Sequence, residues 1–118
     1  MAWRTELGLQ AQIDKADLFD RRYEHRRANS EESITDAADA AEAFINHIES
    51  AISRLGNMPH VGTRHEHVLV GLRHVTIDRV ILWFLVDDES RTVRVLGIFH
   101  GGQDHFGRMM RRLGAGGD

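Results

Sequence analysis

RVILWFLVDDESRTVRVLGIFH, Arg79 to His100, is the stretch on which the fold turns. Val80 to Val86 is apolar at every position, Asp87 to Arg91 is short and polar, and Thr92 to Phe99 is again rich in β-branched and aromatic residues. Two runs of strand length around a polar loop predict an antiparallel hairpin over Arg79–Val86 and Thr92–Phe99. A strand without a polar face is central and covered on both sides, or covered on one side and turned toward a partner on the other.

Working back toward the N-terminus, strand character begins near Val68, and His60 to Glu66, with Gly62, reads as a polar connector. Before it the period changes to that of a helix. Ile34, Ala37, Ala38, Ala41, Phe44, Ile45, Ile48, Ile52 and Leu55 fall on one side of a helix. Gly56, free to take a positive φ, and Pro59 supply its stop. Asn29, Ser30 and Ser33 are the residues able to cap its start. Glu6 to Arg27 carries a second stripe at Leu9, Ile13, Ala16, Phe19 and Tyr23, which predicts an antiparallel helical pair. Ala2 to Leu7 fits a short strand. Beyond the hairpin, Gly101 and Gly102 predict a turn with positive φ, Asp104 a cap, Gln103 to Leu113 a short helix, and Gly114 to Asp118 a frayed tail. The expected fold is therefore α+β: an N-terminal strand, a helical hairpin, an antiparallel twisted sheet and a short C-terminal helix, forming one domain over residues 1–118.

Composition narrows the class. The 118 residues carry a net charge of −3, and no cysteine is present, which excludes disulfides and thiolate metal sites. No stretch has the length of a secretory signal or a membrane span, so a cytoplasmic protein is expected. Asp36, Asp39 and Glu42 cluster mid-chain, whereas Arg108, Arg111 and Arg112 crowd the C-terminal end. Lys15 is the only lysine among 15 basic residues.

Eight histidines raise the question of a metal. His65 and His67 stand two apart, and His60, His100 and His105 are further candidates, but no third ligand sits at a motif spacing. Surface histidines are the expectation, and no metal is. Nucleophile elbow, Walker loop and dinucleotide fingerprint are all missing, so no cofactor is expected. Arg73, Arg79, Arg94 and His100 form the remaining constellation. Strand alternation sets Arg73 and Arg79 in phase with Val75, Ile77 and Ile81, and Arg94 and His100 in phase with Leu96 and Ile98. Arginines beside a histidine on a sheet can bind phosphate and move a proton, as a ribonuclease requires. The commoner arrangement pairs such arginines with Asp78, Asp87 or Asp104 and lays their stems on apolar neighbours.

Leu55-x-x-x-Pro59-x-x-Gly62, Gly71-Leu72-Arg73-His74, the hydrophobic strand with Trp83-Phe84, and Val93 to Asp104 in this order resemble the RelE/ParE superfamily of toxins from bacterial type II toxin–antitoxin systems. The resemblance runs from Ala11 to about Leu113. It implies a compact α+β fold and a cognate antitoxin whose C-terminal segment masks the toxin. RelE-like members cleave messenger RNA in the ribosome; ParE-like members, the plasmid-stabilisation type, inhibit DNA gyrase and are not known as nucleases. Ala11-x-x-Asp14 fits the family's usual helix start, but Lys15 stands where leucine is common, and Asp17-Leu18 fits after a shift of register. Arg79 resembles a RelE-type arginine before the hydrophobic strand, yet the lysines that many RelE-like enzymes place before it are absent. His-Gly-Gly-Gln-Asp, His100 to Asp104, looks like the ParE-type ending. The expected function is a ParE-like toxin that inhibits gyrase and is neutralised by an antitoxin, with Arg73, Arg79 and His100 as the catalytic candidates should it be a nuclease. A toxin-like scaffold that retains only antitoxin binding is the third option.

Overall fold

The structure, a computed structural model, describes residues 2–29, 33–101 and 103–114. Ser30, Gly102 and the tail past Gly114, on which part of the sequence reading fell, lie outside the described residues. The elements are β1 (Arg4–Leu7), α1 (Leu9–Asn29), α2 (Ile34–Leu55), β2 (Thr63–Arg64), β3 (Leu72–Ile77), β4 (Val80–Asp87), β5 (Thr92–His100) and α3 (His105–Arg112). The five strands form one sheet in the order β1-β5-β4-β3-β2. β3, β4 and β5 pair antiparallel as expected, but β1 runs parallel to β5, so the sheet is mixed rather than wholly antiparallel.

Ser33 is the N-cap of α2, its hydroxyl accepting the Asp36 amide at 3.1 Å. Gly56 ends the helix with an ordinary φ of −63°, not the expected positive one. A glycine is needed there for space, because a Cβ would lie 2.6 Å from the Trp3 carbonyl where β1 crosses the helix end. The stripe on α1 also differs from expectation. Ala11 and Leu18 are buried, while Leu9 and Ile13 are 72% and 52% exposed and Ala16 is exposed too. The inward side of α1 instead includes the half-buried Asp14, and apolar counting alone placed that side wrongly.

β4 is covered on both faces by this chain itself from Val80 to Phe84, the first of the two arrangements its apolar run allows. Val80, Leu82 and Phe84 face the helical hairpin, packing with Leu18, Ile48, Ile52, Leu55, Val93, Val95 and Ile98. Ile81 and Trp83 face the other way, into a second core with Leu72, Phe99 and Met109 of α3. Strand character does not start at Val68: Val68 to Gly71 turn, leaving Val70 81% exposed, and two residues of the polar connector pair as β2.

Two backbone irregularities decide where the polar residues go. Asp78 and Arg79 are the central residues of a two-residue hairpin turn, with φ of 48° and 73°, the type I′ geometry that matches sheet twist. Arg79 is therefore not on β4. An arginine in a left-handed conformation costs about 1 kcal/mol relative to glycine. Arg79→Gly is accordingly expected to leave folding stability unchanged or raise it by up to about 1 kcal/mol in urea titration. The second irregularity is a β-bulge. Trp83 pairs with Gly97 but Phe84 with Val95, so Leu96 has no partner. The extra residue reverses the alternation of β5, and Arg94 and His100, expected on one face, lie on opposite faces. The groups freed at the bulge are satisfied from outside the sheet: Asp14 accepts the Ile98 amide at 2.9 Å, and Arg112 donates to the Leu96 carbonyl at 3.2 Å. The same two side chains form an ion pair, with Arg112 Nη1 2.7 Å and Nη2 3.1 Å from the two carboxylate oxygens.

Candidate functional site

The bulge brings His100 onto the helix side of the sheet, at the end of β5 where the β3–β4 turn approaches α1. A cleft of about 530 Å³ opens there, lined by Leu18, Arg21, Arg22 and His25 of α1, Phe44 of α2, Arg79 of the turn, and His100, Gly101 and Gln103. The loop and the turn are tied together: the Gly101 amide donates to the Arg79 carbonyl at 3.1 Å, and the His100 amide to the Gln103 side chain at 2.7 Å. Gly101 does this without a positive φ, contrary to expectation. His100 Nδ1 lies 3.0 Å from the Gly101 carbonyl, which only accepts, so Nδ1 donates and Nε2 is the nitrogen left for other partners.

Arg22 lies over the Phe44 ring at 4.1 Å, and Phe44 meets the edge of His100 at 6.2 Å. Arg21 pairs with Asp17 at 3.0 Å. Among the described residues, neither Arg22 nor Arg79 pairs with a carboxylate; Asp78, in the same turn as Arg79, lies 3.2 Å from His47. Among the described residues, three guanidiniums and two imidazoles line the cleft and no carboxylate does, an arrangement suited to an anion such as phosphate.

Of the three candidates named from the sequence, Arg79 and His100 come together here. Arg73 does not. It shares the helix side of β3 with Val75 and Ile77 as expected, but it pairs with Phe84, four positions along the hairpin from the Ile77–Val80 end. That displacement is roughly 13 Å at strand rise, and the Arg73 guanidinium is occupied by the His60 carbonyl at 2.9 Å. Arg94 pairs with Glu6 at 3.5 Å rather than with any of the three aspartates considered. Asp104 is the N-cap of α3, accepting the Gly107 amide at 3.0 Å, and Asp87 accepts the Glu89 and Ser90 amides within its own turn. Sequence reasoning missed the cations of α1. Leu18, Arg22 and His25 at helical spacing were the available signal, hidden because apolar residues alone defined the stripe.

The histidines divide into two environments. His60 sits 2.6 Å from Asp88, and His47 near Asp78. His65, expected at the surface, is buried against Trp83 with ring centroids 4.7 Å apart. His74 stacks on the same indole at 4.7 Å, His65 and His74 are hydrogen-bonded at 2.7 Å, and the Trp83 indole N–H donates to His105 Nδ1 at 3.1 Å. Burial, then the neighbouring imidazoles, hold His65 and His74 below the usual imidazole pKa. Among the described residues, no group of three or more histidine or carboxylate side chains is arranged to hold a metal ion. No helix among them is long and apolar enough to cross a membrane.

A family model described as the ParE toxin of a type II toxin-antitoxin system, parDE, matches residues 21–105. No curated protein matches the chain. The fold is similar to that in the chromosomal ParDE system of P. aeruginosa, at 14% identity, with 84% of this chain and 96% of that one covered and a TM-score of 0.63. The RelBE2 toxin-antitoxin complex of Mycobacterium tuberculosis gives 17% identity, coverage of 85% and 99%, and a TM-score of 0.57. The isolated E. coli RelE toxin gives 11%, 95% and 99%, and 0.54. At these identities the likeness is one of fold.

Proposed function

We propose, for a chain that belongs to the ParE toxin family of type II toxin-antitoxin systems, a gyrase-inhibiting activity held in check by a cognate antitoxin. The observation that carries this reading is the separation of Arg73 from Arg79 and His100, with Arg73 already engaged by the His60 carbonyl. A set of three that does not converge is a poor nuclease centre, and it leaves binding as the activity. An antitoxin partner is supported by the fold shared with ParDE and RelBE2 assemblies. The cationic cleft offers a place for an anionic group of that partner or of the target to bind. Its place is the cytoplasm, where gyrase works.

The experiment is a supercoiling assay with purified gyrase beside a translation reaction in which messenger integrity is followed. The expected result is loss of supercoiling, relieved by the product of the adjacent antitoxin gene, with messenger intact. Cleaved messenger with supercoiling untouched overturns the proposal. The ribonuclease alternative has one observation in its favour, the convergence of Arg79 and His100 with the α1 cations. On that alternative, Arg79→Ala or His100→Ala lowers messenger cleavage by about 100-fold or more while the fold is retained.

A further inference from the structure

α3 is fastened to the sheet by different chemistry at its two ends. At the C-terminal end Arg112 is paired with Asp14 at 2.7 Å. At the N-terminal end the helix rests on imidazoles and one indole, with His105 5.2 Å from His74, and Phe106 5.9 Å from both His65 and Trp83. We propose that the His65–His74–His105 stack is an acid-sensitive latch that frees the N-terminal end of α3 from the sheet when its imidazoles take up protons.

The hydrogen bonds set this behaviour. At 2.7 Å, His65 Nε2 and His74 Nδ1 must be one donor and one acceptor, so the contact holds a single proton. Protonating both rings sets two N–H groups against each other. Indole N–H only donates, so His105 Nδ1 carries its lone pair and His105 is neutral while bound to Trp83. A proton on that nitrogen breaks the bond that ties α3 to β4.

Among the described residues, no carboxylate is paired with His65, His74 or His105. The loop before β3 contributes Glu66 and His67, but Glu66 accepts the Gly71 amide at 2.9 Å, and His67 is a second base 6.4 Å from His65. α3 contributes Arg108, a further positive charge, and its Asp104 accepts the Gly107 amide. On β3, Arg73 lies on the opposite face, and β2 adds only Arg64 beside it. His47 and His60 differ in having carboxylates against them, at 3.2 and 2.6 Å. The depressed titration of His65 and His74 agrees. A base held below its unfolded value, about 6.5, leaves docking complete above that pH and weakens it as pH falls through the lowered values. Release uncovers the apolar face formed by Leu72, Ile81, Trp83 and Phe99.

The test uses the full-length chain with Trp3→Phe, which leaves Trp83 as the sole indole. Between pH 7.5 and 5 the expected result is a red shift of Trp83 emission and at least tenfold faster hydrogen exchange in α3, corrected for intrinsic pH dependence, with α2 and β5 still protected. The imidazole NMR signals of His65 and His74 should titrate over the same interval. In the His65→Asn, His74→Asn double variant the transition should shrink by the share that the His65–His74 contact carries, the His105–Trp83 bond remaining in place. An α3 that stays protected while the imidazoles titrate overturns the latch, as does cooperative loss of α2 and β5 at the same pH. The NMR titration of the unaltered histidines decides the matter even where the double variant fails to fold.

Discussion

Asp14→Ala is expected to lower folding stability by about 3–5 kcal/mol in equilibrium urea unfolding. The side chains of Asp14 and Arg112 are only 13% and 23% exposed, so removal of the carboxylate strands a guanidinium that water reaches poorly. It also leaves the Ile98 amide at the bulge without its acceptor, a further cost of about 1–3 kcal/mol where the site stays dry. Asp14→Asn keeps an acceptor for that amide and loses less. Asp14→Ala combined with Arg112→Met should recover part of the loss, because no charge is then stranded. Lys15 is the control. Its bond to Glu49 is short, at 2.7 Å, but Glu49 is half exposed, and Lys15→Ala should cost no more than about 1 kcal/mol. A loss below about 1 kcal/mol for Asp14→Ala would place its pair in the same class.

Trp83→Ala should cost about 3–5 kcal/mol, the range for deleting a buried aromatic ring. Trp83 is fully buried, fills the core beneath α3, and supplies the face on which His65 and His74 stack. The variant should also lose protection of α3 amides before that of α2, since the helical hairpin packs on the opposite face. Trp83→Phe keeps a ring and deletes the donor to His105, so a smaller loss localised to α3 is expected. Equal loss of protection on both faces would show that the two cores open together.

The sequence revealed those parts of the fold whose cause is local. Apolar continuity from Val80 to Val86, the polar loop after it and the helical period ending at Leu55 each act within a few residues, and the β4–β5 hairpin and α2 formed where they pointed. Asp104 as a cap was legible for the same reason. The candidate site was legible only in half. Arg79 and His100 meet, but their faces depend on a turn and a bulge. Neither the left-handed Asp78–Arg79 pair nor the unpaired Leu96 follows from alternation, which assumes an unbroken ladder. Asp14 was hidden because its reason is the Ile98 amide, 84 residues away. His65 was read as a surface residue because its burial depends on Trp83 and α3 closing over it.

The parallel seam between β1 and β5 has a consequence for synthesis. β3, β4 and β5 can zip together as soon as they are made, whereas residues 4–7 find their strand only when residues 92–95 have appeared, and Asp14 waits 98 residues for Arg112. Until residues 92–95 have left the ribosome, the first strand has no edge to join, and a messenger truncated before β5 yields a product that cannot close its sheet.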